Sequence, residues 1–279
     1  MVAVVVIVGI FVVGLSAVGV VAASLNRVTT AVDGLHRIEP LETYSGRPVA
    51  ATQKNAPANY AMLVADGDRL AGALVLHLSA SRNDLTVVAV PPNVSQTTQG
   101  VTLTLSEEYL DGTAAVARAL ETLTHVRIDH QVVLDEDDCW SVVSATDGLA
   151  LSDKSTPKSE TQLRAWVGAT ADPTQQIVRL SQVIIAAMSN FSMLSSLTEP
   201  GEFDQAIDAL PRCLSVDPSL TSDEVASTLI SAKVHPDEIG LLVVPSAHAS
   251  SVTLEEIRDA LANDTIAALA KKHPAATTP

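Results

Sequence analysis

Aromatic residues are scarce in this chain: two Trp, three Tyr and three Phe, 3% of 279 residues. So few rings exclude an exposed platform for stacking bases. Cations are also in deficit, with 17 Lys and Arg against 32 Asp and Glu and a formal net charge of −15. A nucleic-acid-binding surface needs Lys and Arg to displace counterions, so no nucleic-acid partner is expected. There are two cysteines, Cys139 and Cys213, with no C-x-x-C spacing, which removes zinc-ribbon and redox motifs. They are either a disulfide pair, if the domain is extracytoplasmic, or two unrelated buried thiols. The seven histidines are scattered without metal-ligand spacing. No G-x-S-x-G elbow and no phosphate-binding P-loop occurs, so neither an α/β-hydrolase nor a P-loop nucleotide enzyme is indicated.

Charge is absent altogether at the start. From Val2 to Ala22 the chain is almost entirely Val, Ile, Ala, Gly, Leu and Phe. A helix of that run crosses a hydrocarbon core of roughly 30 Å at about 1.5 Å per residue. A transmembrane anchor over 1–23 is the expectation. The alternative is a cleaved signal peptide, with Ala22-Ala23-Ser24 as the cleavage site. No Lys or Arg precedes the run, while Arg27 and Arg37 follow it. The positive-inside rule taken literally keeps the rest of the chain in the cytoplasm, and a basic leader before Met1 would reverse that.

What is present beyond the anchor is an alternation of strand-like and helix-like segments. Residues 24–42 carry Leu25, Val28, Val32, Leu35 and Ile38 at helical spacing, and 43–59 read as a linker rich in turn residues. Together 24–58 are a juxtamembrane helix and linker. Short aliphatic runs at Tyr60–Ala65, Ala73–Leu78 and Leu85–Val90 predict strands, with a hairpin loop at Ser81–Asp84. Helices are expected at Thr113–Thr124, Asp135–Ala145, Thr174–Leu197, Phe203–Leu210, Ser222–Ala232 and Thr253–Lys272. Ser222 is the expected N-cap of its helix. Further strands are expected at Val126–Leu134 and Ile239–Val244. Interleaved strands and helices predict an α/β class: a three-layer α/β/α domain with a central mixed sheet over 59–272, behind an N-terminal transmembrane helix, with 273–279 as a tail.

Four segments in order carry a resemblance. Ala119–Gln131 reads A-L-E-T-L-T-H-V-R-I-D-H-Q, similar to L-T-G-V-x-I-D-H-Y. Tyr60–Arg69 ends A-D-G-D-R, similar to G-S-D-S-R. Leu74–Leu78 followed by Leu85–Pro91 is similar to M-L-V-H-I followed by L-x-S-I-P. Arg179–Val183 is similar to R-Q-Q-x-V. Over residues 59–245 the chain thus resembles the LytR-CpsA-Psr family of bacterial cell-envelope proteins. The resemblance implies a single-pass cell-membrane protein with an extracytoplasmic domain. Such proteins hold a polyprenyl-pyrophosphate-linked glycopolymer, its lipid in an apolar tunnel, and transfer the polymer to peptidoglycan. Arginines and Mg²⁺ balance the pyrophosphate, because phosphoryl transfer is mainly positioning and charge stabilisation.

Several charges that the resemblance implies are missing. P-R-D is Pro91-Pro92-Asn93 here, R-S-D-T is Arg69-Leu70-Ala71-Gly72, and A-Y-V-R-x-R is Ala165-Trp166-Val167-Gly168-Ala169-Thr170. The remaining phosphate-binding candidates are Arg69 and Arg179, and the remaining metal candidates are Asp66 and Asp68. His130 matches the family's His and is expected to support its strand. The expectation is therefore a catalytically impaired binding or scaffolding homologue, with a polyprenyl (pyro)phosphate lipid as candidate ligand and active relatives or other envelope-assembly proteins as candidate partners. The other reading is an active phosphotransferase with a rearranged site, using Mg²⁺. A third is an interaction domain whose pocket is filled by side chains.

Overall fold

The computed structural model describes residues 18–53, 56–98, 100–144, 149, 151, 158–193, 200–235, 238–245 and 252–274. A helix, α1 (Val18–Asp33), and a two-residue strand, β1 (His36–Arg37), come first. The meander β2 (Ala58–Asp66), β3 (Arg69–Leu78) and β4 (Leu85–Val90) follows, then a small hairpin, β5 (Ser95–Thr98) and β6 (Val101–Thr104). Next are α2 (Leu105–Leu110), α3 (Thr113–Thr124), β7 (His130–Asp135), α4 (Glu136–Ser144), α5 (Glu160–Gly168) and α6 (Pro173–Met193). The chain closes with α7 (Pro200–Cys213), β8 (Leu214–Val216), α8 (Ser222–Ser231), β9 (Gly240–Val243), α9 (Leu254–Ala262) and α10 (Ile266–Lys272).

Seven strands form one mixed sheet in the order β1-β8-β7-β2-β3-β4-β9. β2 and β3 pair antiparallel, as do β3 with β4 and β7 with β8, while β2 with β7, β4 with β9 and β1 with β8 are parallel. The strands are buried on both faces, so they read as continuous aliphatic runs rather than as an alternation of apolar and polar residues. Side-chain parity still sorts them between two cores. Met62, Val64, Leu74, Leu76 and Val87 pack with Val32 of α1, Ile184 of α6 and Leu210 of α7. Leu63, Val75 and Val88 point the other way, onto Leu120 of α3, Ile257 of α9 and Ile266 of α10. Helices on both faces of the sheet give the expected three-layer α/β/α arrangement.

Residues 1–17 of the expected anchor lie outside the described residues, as do 275–279 of the tail. Among the described residues no helix is long and apolar enough to cross a membrane. The juxtamembrane helix and linker expected over 24–58 are packed onto the domain. Val28 and Val32 are fully buried, and β1 supplies an edge strand. The stretch after β1 straps across α3. Arg47 Nε donates to Glu121 at 3.0 Å, Tyr44 Oη donates to the same carboxylate at 2.7 Å, and Arg47 Nη2 donates to the Ile128 carbonyl at 2.9 Å.

Three local expectations are corrected. The N-cap of α8 is Thr221, whose hydroxyl accepts from the Glu224 N–H at 3.3 Å, rather than Ser222. The closing helix expected over 253–272 is two helices, α9 and α10. Asp264 breaks it in a left-handed conformation (φ 54°), with its carboxylate accepting from the Ala80 N–H at 3.0 Å and meeting His77 Nε2 at 2.8 Å. The strand expected from Val126 begins at His130, because α3 ends on His125 in the left-handed region (φ 60°) and the chain needs several residues to re-enter the sheet.

Candidate functional site

β2 and β7 run parallel, and their C-terminal ends lie against α4, which follows β7 directly. Ligand crevices in open α/β sheets lie outside such strand ends. A cavity of about 730 Å³ opens here. Its inner wall is apolar: Leu70, Val167, Ile177 and Leu180. That wall is set by Gly72 on β3, where a Cβ would lie 2.5 Å from Ile177 Cδ1, so α6 rests directly on the strand. The rest of the lining includes the charged Asp66, Asp68, Arg69, Glu107, Glu136 and Arg164, with the buried Trp140.

The structure brings three of the four candidate ligand residues together. Asp66, Asp68 and Arg69 share the β2–β3 turn and all line the cavity. Arg69 is exposed and forms an ion pair with Asp66. Arg179 is not among the lining residues. Its Nη1 donates to the Trp166 carbonyl, and its guanidinium lies 5.3 Å from the Trp166 ring centroid. It therefore caps the last turn of α5, a structural task for a cation at a helix C-terminus.

His130 is also away from the cavity. It pairs in register with Tyr60 at the opposite end of β2 from Ala65 and Asp135. Its Nε2 lies 3.1 Å from Glu224, its Nδ1 3.1 Å from the Ser219 hydroxyl, and it stacks on Tyr60 with centroids 5.5 Å apart. Burial disfavours the imidazolium, but the bonds to Asp217 and Glu224 and their charges outweigh it and push the His130 pKa to about 9. A histidine kept protonated supports its strand and is not available as a base. Cys139 and Cys213 are brought close together as buried free thiols, with Cys139 Sγ donating to the Cys213 carbonyl at 3.4 Å.

Sequence reasoning missed Arg164, Glu136 and Trp140. Arg164 Nε donates to Glu160 at 2.8 Å and Nη1 to Asp137 at 2.7 Å, and the guanidinium lies 5.3 Å from the Trp140 ring centroid. Trp140 Nε1 donates to Glu136 at 3.3 Å. Burial pushes the Glu136 carboxyl above its usual range; the Trp140 bond opposes this and the Asp66 and Asp137 charges add to it. The signal for Glu136 was available, since it is the first residue after a parallel strand. Arg164 sits one helical turn before Gly168, on the same face of α5.

Of the five positions where the resemblance implied a charge that is missing, three are at this cavity, whereas Asn93 and Thr170 are not among its lining residues. Ala71, Pro92 and Gly168 all line it. Asp66 is ion-paired with Arg69, and no group of three or more potential metal ligands converges among the described residues.

No family model and no curated protein matches this sequence. Solved structures do. Bacillus subtilis TagV superposes with a TM-score of 0.60 at 13% identity, over 77% of this chain and 99% of that one. A LytR-Csp2A-Psr enzyme from Actinomyces oris superposes with a TM-score of 0.57 at 14% identity, over 81% and 96%. This chain has the LytR-CpsA-Psr fold. TagT, solved bound to LIIa-WTA, shares it as well, with a TM-score of 0.60 at 14% identity over 81% of this chain and 98% of that one. In this LytR-CpsA-Psr fold the cavity opens at the strand ends, and its lining includes the uncharged Ala71, Pro92 and Gly168.

Proposed function

We propose that this protein is a catalytically impaired member of the cell-envelope assembly machinery. It is anchored at the bacterial cell membrane with its domain outside, and acts as a binding or scaffolding relative of glycopolymer-transferring LytR-CpsA-Psr enzymes. It receives the apolar part of a lipid-linked ligand in the cavity but does not cleave a pyrophosphate there. The observation that carries this reading is the coincidence of Ala71, Pro92 and Gly168 on one cavity wall. Transfer from a pyrophosphate needs several cations on the phosphates, and one guanidinium alone accounts for about 10³–10⁵ in rate in some phosphoryl-transfer enzymes. Here Arg69 is tied to Asp66, Arg164 to Asp137 and Glu160, and Arg179 to the end of α5.

The test is to incubate the full-length protein with a polyprenyl-pyrophosphate-linked saccharide and Mg²⁺ and follow the lipid by mass spectrometry. The expected result is no release of polyprenyl phosphate. Release at a rate comparable with an active relative would establish the rearranged transferase instead.

A further inference from the structure

The chain has two cysteines in 279 residues, and the fold brings those two together. Cys139 lies on α4, and Cys213 is the last residue of α7, 74 positions later. Both are free thiols, 0% and 1% exposed, where α4 packs against α7. The Cys139 thiol donates to the Cys213 carbonyl at 3.4 Å, so the sulfur of one residue lies against the backbone of the other. The contact stands behind the candidate site. Cys139 precedes Trp140 and follows Glu136 by three positions on the same helix, and both of those residues line the cavity.

We propose that Cys139 and Cys213 form a disulfide that staples α4 to the C-terminal end of α7 and so fixes the part of the cavity wall that α4 supplies. The oxidant is a disulfide-bearing exchange partner, of the class found outside the cytoplasm. One cysteine thiolate attacks a sulfur of that disulfide, and the first oxidant thiolate leaves. The second cysteine thiolate attacks the cysteine sulfur of the resulting mixed disulfide and expels the other oxidant thiolate. One Sγ–Sγ bond forms, two electrons pass to the oxidant, and the two thiol protons end on its two sulfurs. Once α4 and α7 have closed, both sulfurs are buried, and burial raises the Cys213 thiol above its ordinary value. The exchange therefore belongs to folding, before the two helices pack. A bridge across 74 positions also removes much of the freedom of the unfolded chain. The pairing does not depend on what the cavity binds.

The test supplies the oxidant. Full-length protein in detergent is unfolded in urea and refolded by dilution into oxidised and reduced glutathione. It is then denatured in N-ethylmaleimide and weighed by mass spectrometry. The expected product takes up no maleimide, is lighter than the reduced protein by about 2 Da, and yields a cross-linked peptide pair containing Cys139 and Cys213. Its urea midpoint should lie above that of the reduced protein, and the amides of α4 should exchange more slowly. In Cys213→Ala, reductant should leave the midpoint where it is. Maleimide on both cysteines, or glutathione retained on them, overturns the pairing. A bridge that moves neither the midpoint nor the exchange of α4 overturns the staple.

Discussion

Two single residues show how this chain departs from what its own pattern favours. His125 ends α3 in the left-handed region, φ 60°, with its N–H closing on the Glu121 carbonyl at 2.9 Å. Glycine takes that conformation without steric penalty, and the similar family segment has glycine at this place. His125→Gly should therefore stabilise the fold by about 1 kcal/mol, seen as a higher midpoint in urea at unchanged slope. A lower midpoint would mean that the imidazole makes contacts that outweigh the strain. His130 gives a pH dependence with a definite sign. Its pKa is raised to about 9 by Asp217 and Glu224, against an ordinary value of 6.5. Its contribution is fully present below the unfolded value, and it is lost as pH rises through the folded one. Stability should fall between about pH 6.5 and pH 9 by on the order of 3 kcal/mol. His130→Asn should lower stability at pH 6 and flatten that fall. An unchanged slope in the variant would assign the pH dependence to other groups.

At the scale of elements, the strap between β1 and β2 holds the most exacting interaction. The Arg47 and Glu121 side chains are 9% and 2% exposed, and the pair closes at 3.0 Å. Further bonds surround the pair: Tyr44 donates to Glu121, the Ile128 N–H donates to it, and Arg47 donates to the Ile128 carbonyl. Breaking one side leaves a buried charge. Arg47→Ala should therefore cost about 3–5 kcal/mol, and Arg47→Met with Glu121→Leu should recover much of it. Thermal melts of the three proteins measure this directly, and a loss below 1 kcal/mol in the single variant would show that water reaches Glu121. The strap also marks where the sequence was hard to read. Residues 43–59 have the composition of a loop, and pattern does not reveal that one arginine in a loop meets one glutamate in a helix more than 70 positions later. The long helix α6 and the strands β2, β3 and β4 were legible, because their apolar spacing is a local property. The β5–β6 hairpin, β8 and the split between α9 and α10 were not. Those short elements depend on tertiary partners, such as His77 holding Asp264, that no window of sequence contains.

For the whole molecule, the proposed separation of fold from chemistry is testable. The three-layer scaffold, two cores and a cavity at the strand ends are present, while Ala71, Pro92 and Gly168 line that cavity at positions where the similar family motifs carry charge. Part of this was legible: the motif losses and Arg69 with Asp66 and Asp68 could be read from the sequence. The loss of Arg179 to helix capping and the presence of Arg164 could not, because side-chain direction is set by packing. If function lies in sites grafted onto folds, restoring the charges should restore affinity without rebuilding the scaffold. Ala71→Asp, Pro92→Arg and Gly168→Arg combined should raise the affinity for a polyprenyl pyrophosphate in the presence of Mg²⁺ by at least about ten-fold, since each guanidinium adds a charge-assisted contact to phosphate. Binding measured by calorimetry, with a melting curve showing an intact fold, decides the matter. An intact triple variant with no gain in pyrophosphate affinity would mean that the cavity wall, through Gly72 and the close seating of Ile177 on β3, has changed shape as well as charge.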